Sequence, residues 1–193
     1  MAETYIYMIR HAVSPFVLGS ERTRGLSAKG HEDALKIADI LKDEGIDVFV
    51  SSAYVRAVET IRPLAERMGK SIRELEALNE RAVGSMEIHI PEEQLLDGIR
   101  RSFIDKDFCL PGGESTRRAQ ERAVPVVQAL LKEQQGRKIA MGTHGNIMTI
   151  LLNAFDESYG FEFWTQTSKP DIYKLTWEDQ KLARVERLWD PNA

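Results

Sequence analysis

Tyr5-Ile6-Tyr7-Met8-Ile9-Arg10-His11-Ala12 is a short apolar run that stops abruptly at an arginine and a histidine. It is apolar on both faces. That pattern belongs to a strand buried in a parallel sheet between two layers of helices, not to a strand with one face in water. In open α/β sheets, ligands bind beyond the carboxyl ends of the strands. Arg10 and His11 therefore stand at the mouth of a site, unless they are only a surface cation and an incidental histidine at a strand end.

Two later stretches repeat the pattern. Ile46-Asp47-Val48-Phe49-Val50 reads as a second strand and runs into Ser51-Ser52-Ala53-Tyr54-Val55-Arg56. Lys138-Ile139-Ala140-Met141-Gly142 reads as a third and runs into Thr143-His144-Gly145. Three strands ending in this way bring two arginines and two histidines to one edge of one sheet. Such a cluster repels itself unless it holds an anion, and phosphate fits it.

The same residues resemble the histidine phosphatase superfamily, the group that includes the cofactor-dependent phosphoglycerate mutases. Arg10-His11-Ala12 matches the family's Arg-His-Gly/Ala, and Leu26-Ser27-Ala28-Lys29-Gly30 matches the Leu-Ser/Thr-x-x-Gly that follows. Ser51-Ser52, Arg56-Ala57 and Thr60 match Ser-Ser-x-x-x-Arg-Ala-x-x-Thr, with Glu59 in between. Leu78, Glu80 and Gly84 match the next block, and Pro111-Gly112-Gly113-Glu114-Ser115 and Thr143-His144-Gly145 complete the order. Each motif is weak alone; the ordered set is specific and covers nearly the whole chain.

Composition agrees with an ordinary globular protein. The 193 residues suit one domain, 1–193, and the chain is 42% hydrophobic and 29% charged. A net charge of −4 gives no general attraction to nucleic acid or to an anionic membrane, so any pull on a phosphate is local. The lone Cys109 excludes an intrachain disulfide and a multi-cysteine metal site, suits a reducing compartment, and reads as a small buried apolar residue. Met1-Ala2-Glu3-Thr4 carries no basic region before its short apolar run, and no stretch is long enough to span a bilayer. The expectation is a cytoplasmic protein.

Along the chain, the loop Val13–Gly25 carries Ser14, which could offer its hydroxyl to the phosphate, and Arg22 and Arg24, which could hold the rest of an anionic substrate but read rather as solvated charges. Ser27 is a helix N-cap, and Ala34, Ile37, Ala38 and Leu41 form one buried helical face that ends at Gly45. A second helix carries Arg56 in its first turn. A cation gains nothing from the helix dipole there but can reach a phosphate. Ser71–Leu75 reads as an edge strand. Periodicity is poor from Asn79 to Pro111, which suggests a small inserted cap at about 82–110 with one helix near Glu92–Phe103. Within it, His89 could touch substrate or be a bystander. A long helix opens at Ser115 or Glu114. Thr143-His144-Gly145-Asn146 is a strand-to-helix turn whose N–H groups, Gly145 among them, could join the phosphate cradle. Ile172–Trp177 and Leu182–Leu188 form a hairpin about Glu178-Asp179.

The fold expected is a three-layer αβα sandwich with a mixed, mostly parallel sheet and a small inserted cap. The resemblance implies catalysis without cofactor or metal. His11 attacks phosphorus and becomes phosphohistidine, and Arg10, Arg56 and His144 hold the phosphoryl oxygens. Glu80 gives the leaving group its proton, with Glu87 and Glu114 as fallback acids. Zinc held by His11 and His144 is the alternative on the metal side. The substrate implied is a small phosphorylated metabolite or other phosphomonoester. Two further function classes stay open. A phosphoglycerate mutase would carry a larger cap, and a Glu-x-x-Trp-Asn where this chain has Val13-Ser14-Pro15-Phe16. A catalytically silent phospho-ligand-binding module would not need the full set of His11, both arginines, His144 and an acid.

Overall fold

The computed structural model describes residues 3–192. Met1 and Ala2, part of the N-terminal reading above, and Ala193 lie outside the described residues. The central element is β1 (Thr4–Arg10), and its alternation builds two cores at once. Ile6 and Met8 enter one core, Tyr7 and Ile9 the other, and all four are at most 1% exposed. This is what the doubly apolar run required.

β2 (Val48–Ser51) and β4 (Lys138–Thr143) do the same, with Phe49 and Ala140 on one side and Val50, Ile139 and Met141 on the other. β3 (Ile72–Glu74) is the edge strand, and β5 (Asp171–Glu178) and β6 (Lys181–Arg187) form the hairpin. The sheet order is β3-β2-β4-β1-β5-β6. β3, β2, β4 and β1 run parallel, and β5 and β6 are antiparallel additions.

Helices α1 (Ala28–Leu41) and α2 (Val55–Arg67) cover one face. α4 (Thr116–Glu133) and α5 (Gly145–Phe155) cover the other, so the expected three layers are present. Ser27 caps α1 through Gly30 N–H, worth about 1 kcal/mol, and Ser115 caps α4. α3 (Glu92–Ile104) lies in the weakly patterned stretch.

Four details correct the sequence reading. The hairpin turns one residue later than expected, at Asp179-Gln180. Both residues have positive φ (45° and 66°), the geometry a two-residue hairpin loop needs to match strand twist. β2 starts at Val48: Asp47 N–H donates to Lys138 C=O (2.8 Å), but the Lys138 N–H returns to the Asp47 carboxylate (3.0 Å) and not to a backbone carbonyl. α6 (Phe161–Gln166) was not anticipated. Cys109 is only partly buried. No helix among the described residues is long and apolar enough to cross a membrane.

Candidate active site

The parallel register brings the carboxyl ends of β1, β2 and β4 to one level. Arg10 is in register with Thr143, and Ser51 with Gly142. The ladder continues one step further. His11 N–H donates to Thr143 C=O (2.9 Å) and Ser52 N–H to Gly142 C=O (2.9 Å). Residues that follow three different strands thus meet at one point.

Arg10, His11, Arg56 and His144 are buried there, at 8%, 4%, 1% and 0% exposure. The two imidazoles lie edge to face with centroids 5.2 Å apart, and the Tyr54 ring packs on His144 at 5.3 Å. Arg10 donates to both oxygens of Thr167, at the end of α6. Gly145 leaves room for Arg10: a β-carbon there would sit 2.7 Å from the guanidinium carbon and push it aside.

The hydrogen bonds assign both tautomers. His11 Nδ1 lies 2.7 Å from Ala12 C=O, which only accepts, so Nδ1 carries the proton and Nε2 a lone pair. For His144 the chain of reasoning starts at Asn79. Its Nδ2 donates to Glu76, so its Oδ1 is the atom that receives Ala53 N–H and the Ser52 hydroxyl. Ser52 has spent its only hydrogen and must accept from His144 Nε2 at 2.8 Å. His144 Nδ1 is then a bare lone pair, buried and without a partner.

Both histidines are held well below the ordinary imidazole range. Burial is the main cause for each. His11 is pushed further by Arg56, Arg10 and Lys169 against the pull of the Ala12 carbonyl, and His144 by His11 and Arg56. Both imidazoles therefore favour the neutral form. An entering dianion favours their charged form, so it should bind together with at least one proton, on His144 Nδ1 first. The sign follows: affinity falls as pH rises. Sulfate, whose own charge is constant near neutrality, should bind about tenfold more weakly per pH unit there. Calorimetric titration in buffers of different ionisation enthalpy should show the proton taken up. Binding that is independent of pH and buffer would contradict this.

Glu80 faces the same point. Its Oε1 accepts from Arg81 and Ile147 N–H (2.9 and 2.8 Å), and Oε2 from Asn146 N–H (3.0 Å). This changes one expectation. The first-turn N–H groups of α5 at Asn146 and Ile147 are held by Glu80 and are not free for a phosphate. The fallback carboxylates are placed otherwise. Glu87 is exposed, and Glu114 is paired with Arg122 at 2.7 Å.

Ser14 is also committed. Its hydroxyl donates to Gly25 C=O (2.7 Å) and accepts from Arg24 (2.8 Å), so it orients Arg24 and has no hydrogen left for a phosphate. Arg24 is not the solvated charge expected, since its side chain is 12% exposed and pairs with Glu21. Glu21 in turn holds Arg56, by its C=O (2.6 Å) and its carboxylate (2.9 Å). Arg22 is solvated as expected and pairs with Glu76.

Glu21 and Lys169 were missed by the sequence reading, and the burial of Arg24 was not foreseen. Burial first, then Arg10 and Arg24, lower the Lys169 ammonium, which places a further cation beside the pocket. Among the described residues, no group of three or more histidine, cysteine, aspartate and glutamate side chains could hold a metal ion.

A cleft of about 690 Å³ opens beside this point. Glu21, Tyr54 and Glu80 border it, and the 82–95 stretch forms its far wall. The Pro111-Gly112-Gly113 turn holds that wall. Glu114 N–H donates to Ala82 C=O (2.7 Å), and a β-carbon on Gly113 would lie 2.4 Å from Val83 C=O.

Chemically, this arrangement can hold a tetrahedral oxyanion between guanidinium groups and against an unprotonated imidazole nitrogen, which is the class of site that fold and pocket define. The chain belongs to the histidine phosphatase superfamily (branch 1), whose model matches residues 6–190. It is 29% identical to a 2,3-bisphosphoglycerate-dependent phosphoglycerate mutase of Chelativorans sp. (strain BNC1), over 95% of this chain and 97% of that protein. Among solved structures it resembles a mycobacterial hydrolase (TM-score 0.77, 22% identity, 97% of this chain and 90% of that one). It also resembles mycobacterial glucosyl-3-phosphoglycerate phosphatase (TM-score 0.74, 21% identity, 96% and 97%). The last two likenesses concern the fold.

Proposed function

We propose that the protein is a phosphomonoester hydrolase working through a phosphohistidine on His11. The observation that carries this is the Nε2 lone pair of His11. The Ala12 carbonyl fixes it, and Arg56 and Arg10 raise the cost of protonating it. A neutral imidazole among guanidinium groups is a nucleophile already paired with the charge its target needs.

The electron bookkeeping closes on the residues present. Nε2 forms the N–P bond as the ester P–O bond breaks, and the departing oxygen takes a proton from Glu80. Glu80 Oε1 already accepts two N–H bonds and Oε2 only one, so Oε2 is the oxygen with room for that proton. Water then attacks phosphorus. The N–P bond breaks, one proton returns to Glu80, and the other stays on inorganic phosphate. Arg10, Arg56 and His144 follow the phosphoryl oxygens throughout. Arg56 does so by exchanging Glu21 for substrate or by its unpartnered Nε. Gly145 gives Arg10 its room, and Ser14 steadies Arg24. No metal is needed for charge, because the cations are side chains. Residues 82–110 act as the cap over the site.

The likeness to the Chelativorans mutase favours a second reading, phosphoglycerate mutase. The two readings differ in what the phosphohistidine meets next. Given 3-phosphoglycerate and a bisphosphoglycerate primer, the protein should release inorganic phosphate far faster than it makes 2-phosphoglycerate. The short cap leaves the intermediate open to water. Isomerisation outrunning phosphate release would make the mutase reading the better one.

A further inference from the structure

The catalytic pocket explains one half of a phosphomonoester; the cleft beside it speaks for the other half. It begins at Tyr54, whose ring lies 4.9 Å from the Arg56 guanidinium carbon, and at Glu80, so whatever is esterified to the phosphate must enter it. Its volume of about 690 Å³ lies within the range of pockets that enclose a whole small molecule, roughly 300–1,000 Å³.

The walls are apolar. Phe16 and Leu18 stand on one rim, and Met86, Ile90 and Leu95 on the other. Phe16 is 65% exposed, Leu18 49% and Met86 38%, so large apolar side chains on both rims face water. Exposed apolar surface gathered around a cleft marks a binding site more often than chance placement does.

The charges on the walls point the same way. The titratable groups along them are the carboxylates Glu21, Glu80 and Glu92, the exposed imidazole of His89, and Arg81. Arg81 is 2% exposed, and its guanidinium donates to Ser102 (2.9 Å) and Asn146 (2.7 Å), behind the wall. A second anionic group on the substrate, such as the carboxylate of a phosphoglycerate, would face three carboxylates, no available guanidinium and, in His89, a single imidazole along these walls. A sugar could reach Ser85, His89 and the carboxylates with a few hydroxyls, but it would set the rest against phenylalanine, leucine and methionine, where they lose water without gaining partners.

We propose that the cleft receives the alcohol half of the substrate, and that this alcohol is bulky, apolar and uncharged: an aryl or extended alkyl group. The assignment rests on the phosphomonoesterase reading and deepens it. It also sets the site apart from one made for phosphoglycerate, whose leaving group is small and anionic.

The test holds leaving-group basicity nearly constant, because a better leaving group would mimic a better fit. 2-Phenylethyl phosphate and n-hexyl phosphate are compared with glycerol 3-phosphate and 3-phosphoglycerate, all esters of simple alkyl alcohols. kcat/KM for the apolar pair should exceed that for the polar pair by about 10²-fold, since three or four methylene equivalents are buried, each worth roughly fourfold. In Phe16→Ala/Leu18→Ala, both changes falling on exposed side chains, this ratio should shrink by roughly tenfold, mainly through KM for the apolar pair.

Polar esters turned over as well as apolar ones would overturn the substrate class and leave the phosphatase reading standing. An apolar preference untouched by the double variant would overturn the assignment to this cleft. If p-nitrophenyl phosphate and all four esters are left intact, the phosphatase reading falls and the inference with it.

Discussion

His11→Ala is expected to remove phosphomonoesterase activity by roughly 10⁴–10⁶-fold, the scale on which loss of a covalent nucleophile is felt. It should leave the fold and the anion pocket in place. The side chain follows the last residue of β1 and does not pack inside the strand. The ladder bond from its N–H to Thr143 is made by the backbone and survives the change. Its one side-chain bond, to the Ala12 carbonyl, is lost next to the cavity vacated by the imidazole, where water can replace it. Arg10, Arg56 and His144 remain, so inorganic phosphate should still raise the melting temperature of the variant. Rapid acid-free quenching of the wild type with radiolabelled substrate should trap protein-bound, acid-labile phosphate, and the variant should trap none. Label that persists in His11→Ala, or turnover within about tenfold of wild type, would place the nucleophile elsewhere.

What the sequence disclosed and what it withheld divide along a physical line. The strands that carry Arg10-His11, Ser52 and His144 are buried on both faces, and a doubly buried strand must be a continuous apolar run, so each ends visibly where polarity begins. Because those three strands are parallel neighbours, the residues beyond them had to converge. The Glu21–Arg24–Arg56 cluster had no such signature. Whether a charge in a loop is solvated depends on what folds over it, and Arg24 is buried by partners that include Ser14, ten residues earlier. Lys169 is hidden for a similar reason. It lies between α6 and β5, and α6 is too short at six residues to show a helical period. The cleft is the same kind of object. Phe16, Leu18 and Met86 fall in two stretches without helical or strand periodicity, and only the fold sets them around one cleft. Gly145 was expected to offer its N–H to phosphate; what the fold adds is the space it leaves for Arg10, which no sequence pattern announces.

Glu80→Gln is expected to act through two effects that can be separated. The first is structural. Glu80 accepts the N–H groups of Asn146 and Ile147 in the first turn of α5. An amide keeps one oxygen for Ile147, but its NH₂ would then face the Asn146 N–H, donor against donor. Losing part of a helix cap costs about 1 kcal/mol, so the melting temperature should drop by a few degrees. That cost is the same whatever the substrate. The second effect depends on the leaving group. An alkyl phosphate departs as a strongly basic alkoxide, and without a proton donor its turnover should fall on the order of 10²–10⁴-fold. p-Nitrophenolate is a stable anion and needs little help. 2-Phenylethyl phosphate and p-nitrophenyl phosphate make the fair pair, since both present one aromatic ring to the cleft and differ chiefly in leaving-group basicity. With phosphoryl transfer to His11 limiting the rate, Glu80→Gln should depress the first far more than the second. His11→Ala should depress both alike. Equal losses on the two substrates would reduce Glu80 to the cap of α5 and leave the proton donor unassigned. Glu21, the other carboxylate that borders both the cleft and Arg56, would then be the next to substitute.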